Sequence, residues 1–195
     1  GSNIIKRVLV KLLYKGGELS PNEWAVGNLY YDATDPDNPY KFGDAVTTGQ
    51  THPCYYYWNW NTLLPRDQTS SSLVPVGDPC TKVLPLGQWR TPSSQDFTDL
   101  LAVHYANPSV PSRDGGAVYF TTSNGERVYF HEAGEITGNC NVSNRDDGHY
   151  WSSTTYSNSR AYYLEIDERG GTGAGNQVTS EIKTQARSIR CLRNN

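Results

Sequence analysis

The apolar positions of this chain change period several times, and each change marks an expected element. In residues 4–14, Val8, Val10, Leu12 and Tyr14 recur every second position, as one face of a strand requires, and Gly16-Gly17 ends the run. Residues 32–39, Asp-Ala-Thr-Asp-Pro-Asp-Asn-Pro, carry turn chemistry, because Asp and Asn bond their own backbone and proline fixes φ. The aromatic run Tyr55-Tyr56-Tyr57-Trp58-Asn59-Trp60-Asn61 would turn both indoles to one face if extended. Residues 66–79, with Ser70-Ser71-Ser72, Pro75, Gly77 and Pro79, predict a long surface loop.

The helical period appears once. Phe97, Leu100, Leu101, His104 and Tyr105 recur at helical spacing, and Ser93, three residues before Asp96, supplies an N-cap. Asn124-Gly125 between the β-prone runs 117–121 and 127–130 predicts a hairpin. Residues 151–155 and 161–166 predict strands, 131–149 and 167–187 polar loops, and 188–192 a closing strand. The expected class is therefore α+β: a twisted antiparallel sheet with one or two helices and long loops. Residues 1–20 form an N-terminal strand or linker, which could belong to a preceding domain, and residues 21–195 form the domain itself.

Composition narrows the class. The chain has 195 residues, 14 Tyr and 5 Trp against 4 Phe and no Met, so much of its apolar surface lies on rings with a polar handle, as in binding modules. A net charge of −3 without a Lys or Arg block gives no footprint for nucleic acid. No stretch is apolar for the roughly 18 residues that a membrane span needs. Gly1-Ser2 looks like an expression remnant, so the expectation is a domain cut from a longer precursor.

Cys54, Cys80, Cys140 and Cys191 form no Cys-x-x-Cys pair, which favours disulfides over zinc or a redox motif. Spacing alone leaves three pairings open. Two disulfides imply an oxidising compartment.

Few residues point to catalysis. His52, His104, His131 and His149 have no paired metal spacing, residues 170–175 lack the Lys-Ser/Thr of a phosphate loop, and no Gly-x-Ser-x-Gly surrounds Ser152 or Ser153. Calcium needs hard oxygen donors, which two Asx-rich loops supply: Asp32, Asp35, Asp37 and Asn38, and Asn139, Asn141, Asn144, Asp146 and Asp147. Solvated turns are the plainer reading of both, and the working expectation is no cofactor. A sugar can also bind without metal, by stacking on an aromatic ring beside a few polar groups; Tyr55, Trp58 and Trp60, and Tyr156 with Asn158 and Arg160, fit that pattern, with Trp60 and Tyr156 foremost.

Three distant segments share a further pattern: Trp89-Arg90-Thr91-Pro92-Ser93 preceded by Cys80, Pro85 and Gly87; Trp151-Ser152-Ser153; and Ser188-Ile189-Arg190-Cys191. With the opening Trp24-Ala25-Val26-Gly27-Asn28-Leu29, they resemble the Fibrobacter succinogenes major paralogous domain of Bacteroidetes surface and fimbrial proteins, a relative of the C-type lectin and formylglycine-generating folds. The chain departs from that pattern in an insertion between Cys80 and Pro85 and in Ala186 where glycine is usual. The resemblance implies a C-type lectin-like domain with Cys80 joined to Cys191, which leaves Cys54 for Cys140.

It further implies a non-catalytic recognition or adhesion module at the cell surface or fimbrial tip. Its partners would be a glycan, a host or bacterial surface protein, or a neighbouring fimbrial subunit; the polar loops and exposed aromatics of the chain itself put the expected site in residues 139–160 with Trp60. A purely structural assembly unit and a formylglycine-generating type of enzyme are the alternatives. The tripeptides of calcium-dependent sugar binders, Glu-Pro-Asn and Gln-Pro-Asp, are absent.

Overall fold

A computed structural model describes residues 18–19, 22–43, 53–66, 75–106, 112–113, 117–121, 127–137, 140–144, 147–167 and 175–194. The strand expected at residues 4–14 and the Gly-rich stretch before residue 175 fall outside them. The organising element is a three-stranded antiparallel sheet of β11 (Asp147–Thr155), β12 (Arg160–Asp167) and β13 (Gln177–Ile182), in the order β11-β12-β13. Period-two alternation divides its side chains between two cores. Tyr150, Leu164 and Ile166 face one apolar cluster, and Trp151, Ala161 and Tyr163 face another.

The first cluster is closed by α1 (Ser94–Ala106) and by the hairpin of β7 (Ala117–Thr121) and β8 (Arg127–His131), with β6 (Ser112–Arg113) paired to β7, while β1 (Glu18–Leu19) and β2 (Asn22–Glu23) pair with each other. Phe97, Leu100 and Leu101 of the helix meet Val118, Phe120, Val128 and Phe130 of the hairpin there, and Trp24 lies 5.7 Å from Phe97 and 5.4 Å from Phe130 by ring centroids. The hairpin register runs from Ala117 opposite His131 to Thr121 opposite Arg127, one residue away from the Thr121–Val128 pairing that a two-residue Asn124-Gly125 turn would set; the turn itself is outside the described residues.

The helix starts where the sequence places it. Asp96 N–H donates to Ser93 Oγ at 3.2 Å, and Ser93 N–H returns to Asp96 Oδ2 at 2.7 Å, a capping box built with Asp. Arg90 clamps the same carboxylate through two bonds of 2.7 and 2.9 Å. Burial works to raise the Asp96 pKa, but the hydrogen bonds from Arg90 and Ser93 prevail and hold it below 3.8. A depressed folded-state pKa stabilises above the unfolded value and is lost as pH falls through the folded one. Asp96→Asn is therefore expected to cost about 1 to 2 kcal/mol at pH 7 and to flatten the fall in stability below about pH 4, measured by urea unfolding across pH.

The second cluster holds Trp58, Trp89, Trp151, Cys80 and Cys191, with Phe42 and Trp60 packed against it. Cys80 pairs with Cys191, and Cys54 with Cys140. Here β3 (Asn28–Tyr31) and β4 (Tyr40–Gly43) form a hairpin whose turn is the acidic loop, and Phe42 meets Trp89 edge-on at 4.8 Å.

Three expectations are corrected. Residues 131–149 are not one loop: β9 (Glu135–Thr137) and β10 (Asn141–Ser143) pair within them, and β11 already begins at Asp147. The segment bends at Gly134 and Asn144, both at positive φ, and a Cβ on Gly134 would lie 2.2 Å from Ser143 O. Residues 167–187 contain β13 and β14 (Ala186–Arg187), which pairs with β9.

The closing strand 188–192 is instead a threaded segment. Ser188 accepts from Trp151 N–H, Ile189 from Leu29 N–H and Cys191 from Ala25 N–H, before β15 (Leu192–Arg193) pairs with β5 (Trp89–Arg90). Each residue takes a different partner, so no single ladder forms. Among the described residues no helix is long and apolar enough to cross a membrane.

Candidate functional site

The residues expected to form one site separate into two groups at opposite ends of β11. The strand runs nine residues from Asp147 to Thr155, so the ends lie roughly 25 Å apart at about 3.3 Å per residue. Asn144 and Asp147 lie at the first end, while Tyr156 and Asn158 follow the second.

At the first end the polar groups are turned inward. Asp147 is buried, and its N–H donates to Asn144 O at 3.0 Å. Asn144 is exposed, in the left-handed region that Asn tolerates, and donates through Nδ2 to Glu135 Oε1 at 3.0 Å. Glu135 in turn lies 2.8 Å from the buried Arg187 guanidinium. Asp146 and Asn139 lie outside the described residues. This end is built as the wall of an internal charge cluster, which His149 completes at 3.9 Å from Glu135 and 3.7 Å from Glu165.

The β3–β4 turn carries the other acidic set. Lys41 Nζ lies 2.8 Å from both Asp32 Oδ2 and Asp35 Oδ2, so the chain supplies its own cation between these carboxylates. The hydrogen bond from Lys41, with those from Thr34, lowers the Asp32 pKa to about 2. Asp37 is exposed in the same turn. No group of three or more His, Cys, Asp or Glu side chains among the described residues is placed to hold a metal ion.

The second end of β11 is different in kind. Three chain segments converge on it: the β11–β12 turn with Tyr156 and Asn158, the turn after β13 with Lys183 and Thr184, and residues 59–66. Trp60 N–H donates to Lys183 O at 3.1 Å, Lys183 N–H to Ser159 O at 2.9 Å, and Lys183 Nζ to Asn158 O at 3.2 Å. Arg66 ties Asn59 Oδ1 to Thr184 O. Trp60 is only half-buried; its Nε1 donates to Ser152 O at 2.8 Å, and Lys183 Nζ lies 4.3 Å from its ring centroid. Tyr156 is 56% exposed and edge-on to Tyr162 at 5.3 Å.

A small depression with about 20 Å³ of free space adjoins Trp60, lined also by Asn61, Asp78, Pro79, Thr91, Trp151, Ser152, Ser153 and Ile189. It brings an aromatic edge together with hydroxyls, an amide and a carboxylate, the mix that orients a polar ligand. Asp78 is preset: it accepts from Cys80 N–H, Thr91 N–H and Thr91 Oγ1 at 2.7 to 2.9 Å. The Ser152 and Ser153 hydroxyls donate to Tyr162 O and Pro92 O.

Trp60, Tyr156 and Asn158 are thus gathered at one end of the sheet, apart from Asn144 and Asp147. Lys183, Arg66, Asp78 and Thr91 were not anticipated. Lys183 carries no motif, and the turn that presents it follows a strand hidden in an expected loop. Trp151 and Trp89 are buried anchors, as their motifs suggest, and Trp58, expected among the stacking candidates, is fully buried with them and presents no face to a ligand. Comparisons with protein-family models, with curated proteins and with solved structures return no match for this chain.

Proposed function

We propose that this chain is a non-catalytic recognition domain of a bacterial cell-surface or fimbrial protein, with a C-type lectin-like fold akin to the Fibrobacter succinogenes major paralogous domain. It binds a glycan through the Trp60 end of its central sheet, or a protein ligand displayed on a neighbouring surface. The observation that carries this reading is the convergence of three segments on a half-buried Trp beside a small depression that Asn61, Asp78, Ser152 and Ser153 help to line, on a scaffold stapled by two disulfides. A tryptophan that is merely structural gains nothing from a position at the edge of such a depression. Here its indole N–H is anchored to Ser152 O, which fixes the ring before any ligand arrives. Two disulfides place the folded domain in an oxidising environment, in keeping with display outside the cytoplasm.

The test is binding of the domain to immobilised glycans and extracellular-matrix proteins, with calcium and with EDTA. Wild-type binding that survives EDTA and weakens at least about tenfold in Trp60→Ala, with an unchanged melting curve, is expected. Binding that depends on calcium and ignores Trp60 would move the site to one of the acidic loops.

A further inference from the structure

Resting on the reading of the Trp60 end as a glycan site, we infer that its ligand is an acidic saccharide, one bearing a carboxylate or sulfate beside the ring that packs against Trp60. The argument is the charge at that end. The chain as a whole carries −3, yet the cations here outnumber their partners. Lys183 Nζ bonds the Asn158 carbonyl, and Arg66 Nη1 bonds Asn59 Oδ1 and the Thr184 carbonyl; among the described residues neither has a carboxylate partner. Arg160, on the adjoining strand, is held by the Ser180 carbonyl and lies 3.8 Å from Glu181. The one carboxylate lining the depression, Asp78, is held by three neutral donors from Cys80 and Thr91 and keeps its charge, so Lys183 and Arg66 together leave an excess of one positive charge over it.

Lys183 and Arg66 are not loose surface charges. Lys183 is fixed at three points: its N–H on Ser159 O, its carbonyl under Trp60 N–H, and its ammonium between the Trp60 ring and Asn158 O. Carbonyls accept these cations without neutralising them, so both charges stay available to an anion. An ammonium 4.3 Å from an indole centroid offers a ligand an aromatic edge and a counter-charge in one place. A neutral sugar would use the first and leave the second without function. A uronate or a sulfated sugar uses both, and the on-rate gains from the local positive field.

The experiment titrates the folded domain by calorimetry with three oligosaccharides of equal length: oligogalacturonate, sulfated galactan and neutral galactan. The comparison variants are Lys183→Gln, Arg66→Gln and Trp60→Phe, each checked by its melting curve. The inference expects an acidic ligand to bind at least about tenfold more tightly than the neutral one, with that preference falling as salt is raised and disappearing in Lys183→Gln. Which acidic ligand wins separates a carboxylate from a sulfate source. Equal affinity for neutral and acidic oligosaccharides, sensitive to Trp60→Phe, overturns the acidic assignment while the recognition reading stands. An acidic preference unchanged in Lys183→Gln and Arg66→Gln overturns the placement of the charge. Binding by none of the three overturns the acidic inference, and the recognition reading is then decided separately by the wider set of immobilised ligands.

Discussion

Glu135→Gln is expected to destabilise the domain by about 3 to 5 kcal/mol, the range for removing one partner of a buried ion pair. The pair joins β9 to β14: Arg187 Nη2 lies 2.8 Å from Glu135 Oε2, with side chains 3% and 13% exposed. Among the described residues Arg187 Nε and Nη1 find no hydrogen-bond partner, and the guanidinium lies over the rings of Tyr163 at 3.7 Å and Trp151 at 5.3 Å. Burial accordingly lowers the Arg187 pKa, with Glu135 the main influence opposing that shift. Gln keeps the shape and removes the charge, so the loss reports the uncompensated guanidinium. Arg187 also exchanges both main-chain hydrogen bonds with Trp58, two residues before Trp60, so the damage reaches the candidate site. Urea unfolding at pH 7 measures it. The double variant Glu135→Leu with Arg187→Met is expected to be more stable than Glu135→Gln alone, because it buries no charge. A Glu135→Gln domain within about 0.5 kcal/mol of wild type would show the pair to be hydrated and of little consequence.

Replacing Cys80 and Cys191 together by Ala is expected to cost about 5 kcal/mol or more. The bridge spans a sequence separation of 111, for which the chain-entropy argument gives about 5 kcal/mol of lost restraint on the unfolded chain. Both sulfurs belong to residues with 0% exposure inside the tryptophan-rich cluster, so truncation to Ala also removes core packing. Cys54–Cys140 closes a loop of similar order, a separation of 86, but lies in a smaller cluster with both cysteines 6% exposed. Its removal is therefore the milder of the two. Denaturant midpoints under non-reducing conditions decide the order, with the slope checked for a more expanded unfolded state. A larger loss from Cys54 and Cys140 would place the mechanical centre of the fold in the wrong cluster.

What the sequence revealed follows from how local each signal is. The β7–β8 hairpin and the Ser93–Asp96 box depend on residues a few positions apart, and both are present as expected. The strands β9 and β10 are three residues each and owe their existence to distant partners, β14 above all, so no period in 131–149 betrays them. The threaded segment from Ser188 to Cys191 alternates like a strand, but its backbone partners come from two separate parts of the chain, residues 149–151 and 25–29.

The candidate site divided along the same line. Trp60, Tyr156 and Asn158 were visible as aromatic and amide residues in polar surroundings. Their neighbour Lys183 was not, because its placement follows from pairing along β12 and β13. Asn144 and Asp147 looked close to Tyr156 because a strand is expected only over 151–155, whereas β11 begins four residues earlier, at Asp147. In the acidic turn, composition offered calcium donors or, more plainly, solvated turns, and neither reading includes Lys41, nine residues beyond Asp32, which provides the cation between the carboxylates.

The account's central claim is that ligand is met at the Trp60 end of the sheet. Amide chemical-shift mapping of the isotope-labelled domain against its best-binding immobilised ligand tests that claim directly. Shifts concentrated at Trp60, Ser152, Tyr156, Asn158 and Lys183, with the Trp60 indole N–H among the largest, are the predicted result. Shifts concentrated instead at Asn144, Asp147 and the β9–β10 hairpin, with Trp60 unmoved, would contradict it.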